Sequence, residues 1–190
     1  QAITINATTT SGGSGIYTTG AITGGTISLI SNKTSATATL VHIAATGLIT
    51  ANSLAVTTSG GSSTTLVSLG AITVNSGGGN ITVTANATTA GGDTGIYQTG
   101  AITDNAVGSN ITFTSNNIIN QTGAIALVAN SAVPVANVIY DTTSGNKASN
   151  ITGRALTFTT GTGSIINYVA KSAGSAINPY FNPNAGTGGI

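Results

Sequence analysis

Apolar and polar residues alternate along short stretches of this chain, and small residues separate one stretch from the next. In one such stretch Ile81 and Val83 alternate with Thr82 and Thr84. An alternation of two residues puts successive side chains on opposite faces of a β-strand. The pattern therefore predicts an all-β fold made of many short strands, without long helices.

The strand pattern repeats along the chain. The sequence GIYTTGAIT at 15–23 returns as GIYQTGAIT at 95–103, and the shorter element G-[AL]-I-[TA] occurs five times, with a degraded copy at Gly153. The five copies begin at Gly20, Gly47, Gly70, Gly100 and Gly123, so that successive copies are 27, 23, 30, 23 and 30 residues apart when Gly153 is included. Repeats of this length with strand-type residues are typical of the coils of a solenoid.

Each repeat contains three strand signals, which predicts a coil with three faces. We therefore expect residues 1–177 to form a right-handed parallel β-helix, a β-solenoid of about seven triangular coils of 23–30 residues. Equivalent apolar residues of successive coils should then stack in the interior. The predicted interior columns contain Ile22, Ile49, Ile72, Ile102 and Ile125 on one face, and Ile27/Leu29, Leu54/Val56, Ile81/Val83 and Ile111/Phe113 on the next.

Glycine, asparagine and proline mark the turns and the exceptions. Gly and Asn are expected at the corners, where a positive φ is needed. The strand pattern is lost between Val133 and Lys147 around Pro134, so a loop or bulge is predicted there. Residues 178–190 hold two of the three prolines and are predicted to be a Pro/Gly-rich tail that caps the solenoid or links it to another module.

The composition removes several classes of function. Only 4% of residues are charged, the formal net charge is +1 and there is no cysteine. A nucleic-acid-binding face needs a dense set of basic residues, so we expect no nucleic-acid partner. No apolar run approaches the roughly 20 residues of a membrane span. The mean hydropathy of +0.32 also argues against disorder, which combines low hydrophobicity with high net charge.

The few ionisable side chains do not predict an enzyme. Asp93 and Asp104 are the only two acidic residues that share a coil, and both are expected on solvent-exposed turns. His42 lies between two apolar residues that should point inward, so His42 should point outward with no second metal ligand nearby. We therefore predict no enzyme activity, no catalytic or metal-binding residues and no cofactor.

Outward threonines form the one candidate binding surface. Thr57, Thr84 and Thr114 should lie side by side in adjacent coils, with Thr82 and Thr112 in the next row. Such a flat surface of hydroxyl and methyl groups could bind glycan or ice. The competing interpretation is that Thr is simply the common outward residue of an uncharged strand.

Two motifs carry a family resemblance. I-x-x-T-G-[AL]-I-[TA] occurs at Ile16–Thr23, Ile43–Thr50, Ile96–Thr103 and Ile119–Ala126, and N-I-T-[VF]-T begins at Asn80 and Asn110. With these motifs the sequence resembles the β-helical repeat region of large secreted bacterial adhesins of the filamentous-haemagglutinin type, which are exported by two-partner secretion or as autotransporters. The coils here are longer and less uniform than is usual in that family, and a secretion domain is not evident.

The resemblance implies an extracellular, secreted or cell-surface protein that serves as a stalk, adhesin or fibre. The open ends of a solenoid present unpaired strand edges. We therefore expect a structural segment of a bacterial surface fibre that assembles end to end, with copies of itself or adjoining repeats as partners, and host-cell or matrix glycans as further candidates. The alternative function is a binding module whose Thr-rich face binds glycan or ice.

Overall fold

A computed structural model of the 190-residue chain describes most of the predicted solenoid. The described residues are 1–9, 15–33, 39, 41–44, 46–60, 65–87, 94–129, 135–142, 149–151, 156–160, 165–171 and 178–179. They form twenty β-strands and no helix.

The strands form three parallel sheets. Sheet A contains β1 (Ile3–Thr9), β4 (Thr26–Lys33), β7 (Ser53–Gly60), β10 (Ile81–Asn86), β13 (Asn110–Ser115), β16 (Val135–Asp141) and β19 (Ile165–Lys171). Sheet B contains β2 (Ile16–Thr18), β5 (Val41–Ile43), β8 (Thr65–Leu69), β11 (Thr94–Gln98), β14 (Ile118–Gln121), β17 (Ser149–Ile151) and β20 (Asn178–Pro179). Sheet C contains β3 (Ile22–Thr23), β6 (Leu48–Ala51), β9 (Ala71–Val74), β12 (Ile102–Val107), β15 (Ile125–Ala129) and β18 (Leu156–Thr160).

Every third strand along the chain lies beside its predecessor in the same sheet, which confirms the predicted β-solenoid. The number of coils needs a correction: six windings have strands on all three faces, and the last has described strands on two only. Paired residues are as close in sequence as Val107 and Val128, 21 residues apart, and as distant as Ile125 and Leu156, 31 apart. The right-handed sense of the winding stays a prediction.

The core is the stack of inward apolar residues that the alternation predicts. In sheet A, Ile27 pairs with Leu54, and Leu54 pairs with Ile81, and all three side chains are buried. In sheet C the isoleucines of the G-[AL]-I-[TA] element are direct partners from winding to winding. In sheet A the ring of Phe113 stacks on that of its partner Tyr140, with ring centroids 5.2 Å apart. Burial of such columns, at roughly 25 cal/mol per Å² of apolar surface, is the main stabilising term.

The glycines of the repeated element serve close packing, which corrects the expected role of glycine at the corners. Among the described glycines only Gly60, Gly77 and Gly108 have positive φ, and none belongs to the repeated element. A Cβ on Gly100 would instead collide with the backbone of Gly70 in the preceding winding. Gly70 and Gly123 are enclosed in the same way. The element therefore needs glycine because two windings touch there, backbone against backbone.

Asparagines stack along the corner that precedes the strands of sheet A. The backbone N–H of Asn110 donates to Oδ1 of Asn80 over 2.9 Å, and the side-chain amide of Asn137 donates to Oδ1 of Asn110. An amide has both donors and acceptors, so it can hydrogen-bond to an identical residue one winding away. This column explains the asparagine that begins the N-I-T-[VF]-T motif.

Two further expectations concern the C-terminal part of the chain. The loop predicted between Val133 and Lys147 is wrong for residues 135–141, which form β16 and pair in register with both β13 and β19. Val133, Pro134 and residues 143–147 lie outside the described residues. Asn178 and Pro179 of the predicted tail pair with β17, and the rest of that segment also lies outside the described residues.

Candidate functional site

The five threonines predicted as a surface row lie together on the outer face of sheet A. We call them the Thr array: Thr57, Thr82, Thr84, Thr112 and Thr114. They occupy three adjacent strands about 4.8 Å apart, and neighbours along one strand are about 6.7 Å apart. Each is exposed or half-buried, and each lies between two buried residues of its strand.

The Thr array ends where the outward residues change character. On one side the register continues from Thr57 to Ile30, and on the other side from Thr112 to Ile139 and from Thr114 to Asp141. The array is therefore three strands wide. It offers hydroxyl and methyl groups to a ligand and has no group that could transfer a proton at neutral pH.

A second threonine surface was missed by the sequence interpretation. On sheet C the outward residues Thr23, Thr50, Thr73 and Thr103 are direct partners on four consecutive windings. The signal was present in the sequence, because these residues are the fourth position of the G-[AL]-I-[TA] element. The recurrence of the element shows that the position repeats, but it does not by itself assign the threonine to the inward or the outward face of the strand.

Sheet B carries two exposed aromatic side chains, those of Tyr17 and Tyr97. The residues that share one outward row, which we call the aromatic row, are Tyr17, His42, Ser68, Tyr97 and Asn120. Tyr17 is 61% exposed and Tyr97 36% exposed, as their outward direction predicts. His42 also faces outward, and its ring lies against that of Tyr17 with centroids 5.1 Å apart.

Asp104 is not the solvated turn residue that the sequence suggested. It lies in β12 and is buried, with its carboxylate accepting hydrogen bonds from the Ser109 hydroxyl and from the backbone N–H of Ala106, the latter at 3.0 Å. The reason is a bulge: Thr103 pairs with Ala126 and Val107 pairs with Val128, so β12 contains two more residues than β15 over this span. The carboxylate fills the bulge and binds its backbone.

Burial controls the acid–base behaviour of Asp104. Desolvation raises the pKa of its carboxyl above the ordinary value of 3.8, and the hydrogen bonds from Ser109 and Ala106 oppose this rise. Asp93, the other acid of the predicted pair, lies outside the described residues. A groove that holds the two carboxyls together is therefore not part of the described structure, and the absence of enzyme activity stays a prediction.

Comparison with known proteins adds no further assignment. No family model, curated protein or solved structure matched this chain. Among the described residues, His and Asp side chains nowhere gather in threes as a metal site requires. The same residues include no helix with the length and apolar character that crossing a membrane demands.

The N-terminal end of the stack exposes the core. Ile3, Ile5 and Ala7 occupy inward positions of β1, opposite Ile27, Leu29 and Ser31. Ile5 is 36% exposed, whereas its partner Leu29 is fully buried. Among the strands that the structure describes, β1, β2 and β3 at this end each have a neighbour on one side only. The end therefore offers apolar side chains and unpaired backbone groups together.

Proposed function

We propose that this chain is a structural segment of an extracellular bacterial surface fibre or adhesin, in which solenoid ends stack on one another to form a filament. The observation that carries the proposal is the end of the stack at β1. Its inward face is apolar and partly exposed, and no strand of the described residues pairs with its outer edge. An exposed strand edge of this kind is a template for another strand.

The chemistry of the end fits another winding of the same kind. A strand added beside β1 would place its inward residues over Ile3 and Ile5, as β4 does on the other side. The residues of β1, β2 and β3 include no charged side chain, so this end has no side-chain charge to repel an approaching strand. Such contact joins one end of a molecule to the opposite end of the next, and an interface of that kind that does not close into a ring gives an open filament.

The mechanical consequence is a rod held by parallel ladders along its whole length. Backbone hydrogen bonds join neighbouring windings at the corners as well as in the sheets, for example from Ala44 N to Thr18 O over 3.0 Å and from Thr122 N to Gln98 O over 2.9 Å. A low surface charge makes such a rod insensitive to salt. The extracellular bacterial setting rests on the resemblance of the repeated motifs.

The purified chain tests the stacking step, with a second copy as the only available partner. Sedimentation velocity over a wide range of protein concentration should show growing, elongated assemblies. Ile5→Lys places a charge in the apolar end face and should weaken association about tenfold, which corresponds to the loss of about 1–2 kcal/mol of apolar burial. The control is Thr4→Lys, which adds the same charge on the same strand at an exposed outward position.

Two results would contradict the proposal. The first is a wild-type chain that stays monomeric at millimolar concentration. The second is association that Ile5→Lys and Thr4→Lys reduce to the same extent, because that result would report a general charge effect rather than contact through the end of the stack.

The second candidate function is a binding module that uses the Thr array. The supporting observation is that five outward threonines on three adjacent strands form one continuous regular surface. Thermal-hysteresis measurement tests ice binding, and a glycan array tests sugar binding. Thr84→Lys at the centre of the Thr array should abolish either activity, and an activity that survives this change would exclude the Thr array as its site.

A further inference from the structure

The aromatic row on sheet B is a surface whose composition the fibre function does not explain. The stacking of windings requires only that an outward side chain is compatible with solvent and with the neighbouring side chains of its row. Phe113 and Tyr140 show where an aromatic side chain of this chain is stabilised, namely in the core. Tyr17 and Tyr97, in contrast, are exposed, and they lie in one row of one sheet.

The register gives the row a defined geometry. Tyr17, His42, Ser68 and Tyr97 lie on four consecutive strands, so the two tyrosines are three strand spacings apart, about 14 Å. The ring of His42 contacts that of Tyr17 with the two ring planes inclined by 57°, so His42 flanks the tyrosine ring on the next winding. Ser68 then supplies a hydroxyl, Tyr97 a second ring, and Asn120 on the next strand an amide.

The charge of the face limits the class of ligand. The strands of sheet B, over the residues that the structure describes, contain no Asp, Lys or Arg. Single-stranded nucleic acid also stacks on aromatic rings, but it requires a basic groove for its phosphates. An uncharged ligand is therefore favoured, with flat apolar faces for the rings and hydroxyl groups for the serine and the amide. A neutral sugar chain has both, because each pyranose ring presents C–H groups on its face and hydroxyls around its rim.

We infer that the aromatic row binds a neutral, linear oligosaccharide that lies along the solenoid axis, with one sugar stacked on the Tyr17 ring, beside His42, and another on Tyr97. The sugars between them hydrogen-bond to Ser68. A tyrosine is suited to such a contact because its ring is apolar and rigid while its hydroxyl stays solvated. The inference goes beyond the proposed fibre function and does not depend on it.

Binding is tested by isothermal titration with hexasaccharides of four neutral types: β-1,4-glucan, β-1,3-glucan, β-1,4-mannan and chitin. A ligand that spans both rings must be several sugars long. The hexasaccharide of at least one type should therefore bind, and its disaccharide should bind at least tenfold more weakly. A heparin hexasaccharide serves as the charged probe and should not bind more tightly than the best neutral chain.

The variants separate the two rings from a general surface effect. Tyr17→Ala and Tyr97→Ala should each weaken binding of the hexasaccharide about tenfold, and the double variant should abolish it. Tyr17→Phe keeps the ring and should retain most of the affinity. The matched control is Val107→Ala on sheet C, where an equally exposed apolar side chain is shortened on another face. Thermal melting of each variant checks that the fold is intact.

The inference is overturned if none of the four hexasaccharides binds at millimolar concentration. It is also overturned if a disaccharide binds as tightly as its hexasaccharide, or if Val107→Ala weakens binding as much as Tyr97→Ala does. A failure of the filament test leaves these outcomes unchanged, because they are measured on a single chain.

Discussion

Replacement of Gly100 by alanine should destabilise the solenoid strongly, although it adds one methyl group. The Cβ of an alanine at this position would overlap the backbone of Gly70 and the backbone nitrogen of Ala71. Neither neighbour is the flexible end of a side chain, so the clash can be relieved only by moving one winding away from the next. Such a movement also stretches the hydrogen bonds of the same corner, including the one from Thr99 N to Leu69 O at 3.1 Å.

The magnitude follows from the nature of the obstacle. Overpacking that shifts a backbone costs typically 1–3 kcal/mol and occasionally more. Because Gly100 meets several backbone atoms at once, we expect about 3 kcal/mol or more for Gly100→Ala. Gly20 is the matched control, since it begins the same repeated element but a Cβ there has no atom within 4 Å. Gly20→Ala should leave stability unchanged or raise it by about 0.4–1 kcal/mol, because alanine has less freedom in the unfolded chain.

Urea denaturation followed by circular dichroism at low protein concentration measures both variants. A transition midpoint that falls for Gly100→Ala and does not fall for Gly20→Ala supports the conclusion that the glycines of the repeated element allow adjacent windings to pack closely. Equal midpoints for the two variants would refute it. The contrast has a second use, because Gly20 is open only where no winding precedes it: in an end-to-end assembly Gly20→Ala should weaken association without affecting the monomer.

Two further predictions concern buried polar groups. The Thr58 hydroxyl is buried without a hydrogen-bond partner, so Thr58→Val should raise the free energy of unfolding by about 1 kcal/mol, while Thr57→Val at the exposed neighbouring position should change it little; a melting temperature that falls for Thr58→Val would contradict this. For Asp104 the folded state has the higher pKa and so binds the proton more tightly than the unfolded chain. Its contribution to stability is therefore complete below the ordinary pKa of 3.8 and is lost as the pH rises through the raised value. Asp104→Asn should remove this loss, raise the melting temperature at pH 7 and flatten its dependence on pH between 3 and 7; an unchanged slope would show that another group is responsible.

The architecture was predictable because two separate sequence patterns define the interior of a solenoid. The two-residue alternation at 81–84 assigns each side chain to a face, and the recurrence of the glycine element places equivalent residues in adjacent windings. Ile49, Ile72 and Ile102 are direct partners in the structure for this reason. The outward direction of the Thr array, of Tyr17 and of His42 follows from the same alternation.

The features that sequence reasoning missed depend on contacts between windings. The burial of Asp104 results from a difference in length between β12 and β15, which no local pattern at 102–107 reveals. The true role of Gly100 depends on how near the preceding winding lies, whereas a sequence suggests only that a glycine is at a turn. The aromatic row also depends on contacts between windings, because the register of adjacent strands places Tyr17, His42 and Tyr97 in one line.

The unequal lengths of the windings have a consequence for how such a chain can change. Paired residues of adjacent strands are separated by 21 residues at the least, at Val107 and Val128, and by 31 at the most, yet adjacent strands are always about 4.8 Å apart. The rise per winding is therefore independent of the number of residues in it, as the two additional residues in the bulge of β12 illustrate. The number of residues in a winding can therefore vary while the length of the rod is counted only in whole windings, so duplication of one repeat would extend the protein by a fixed step.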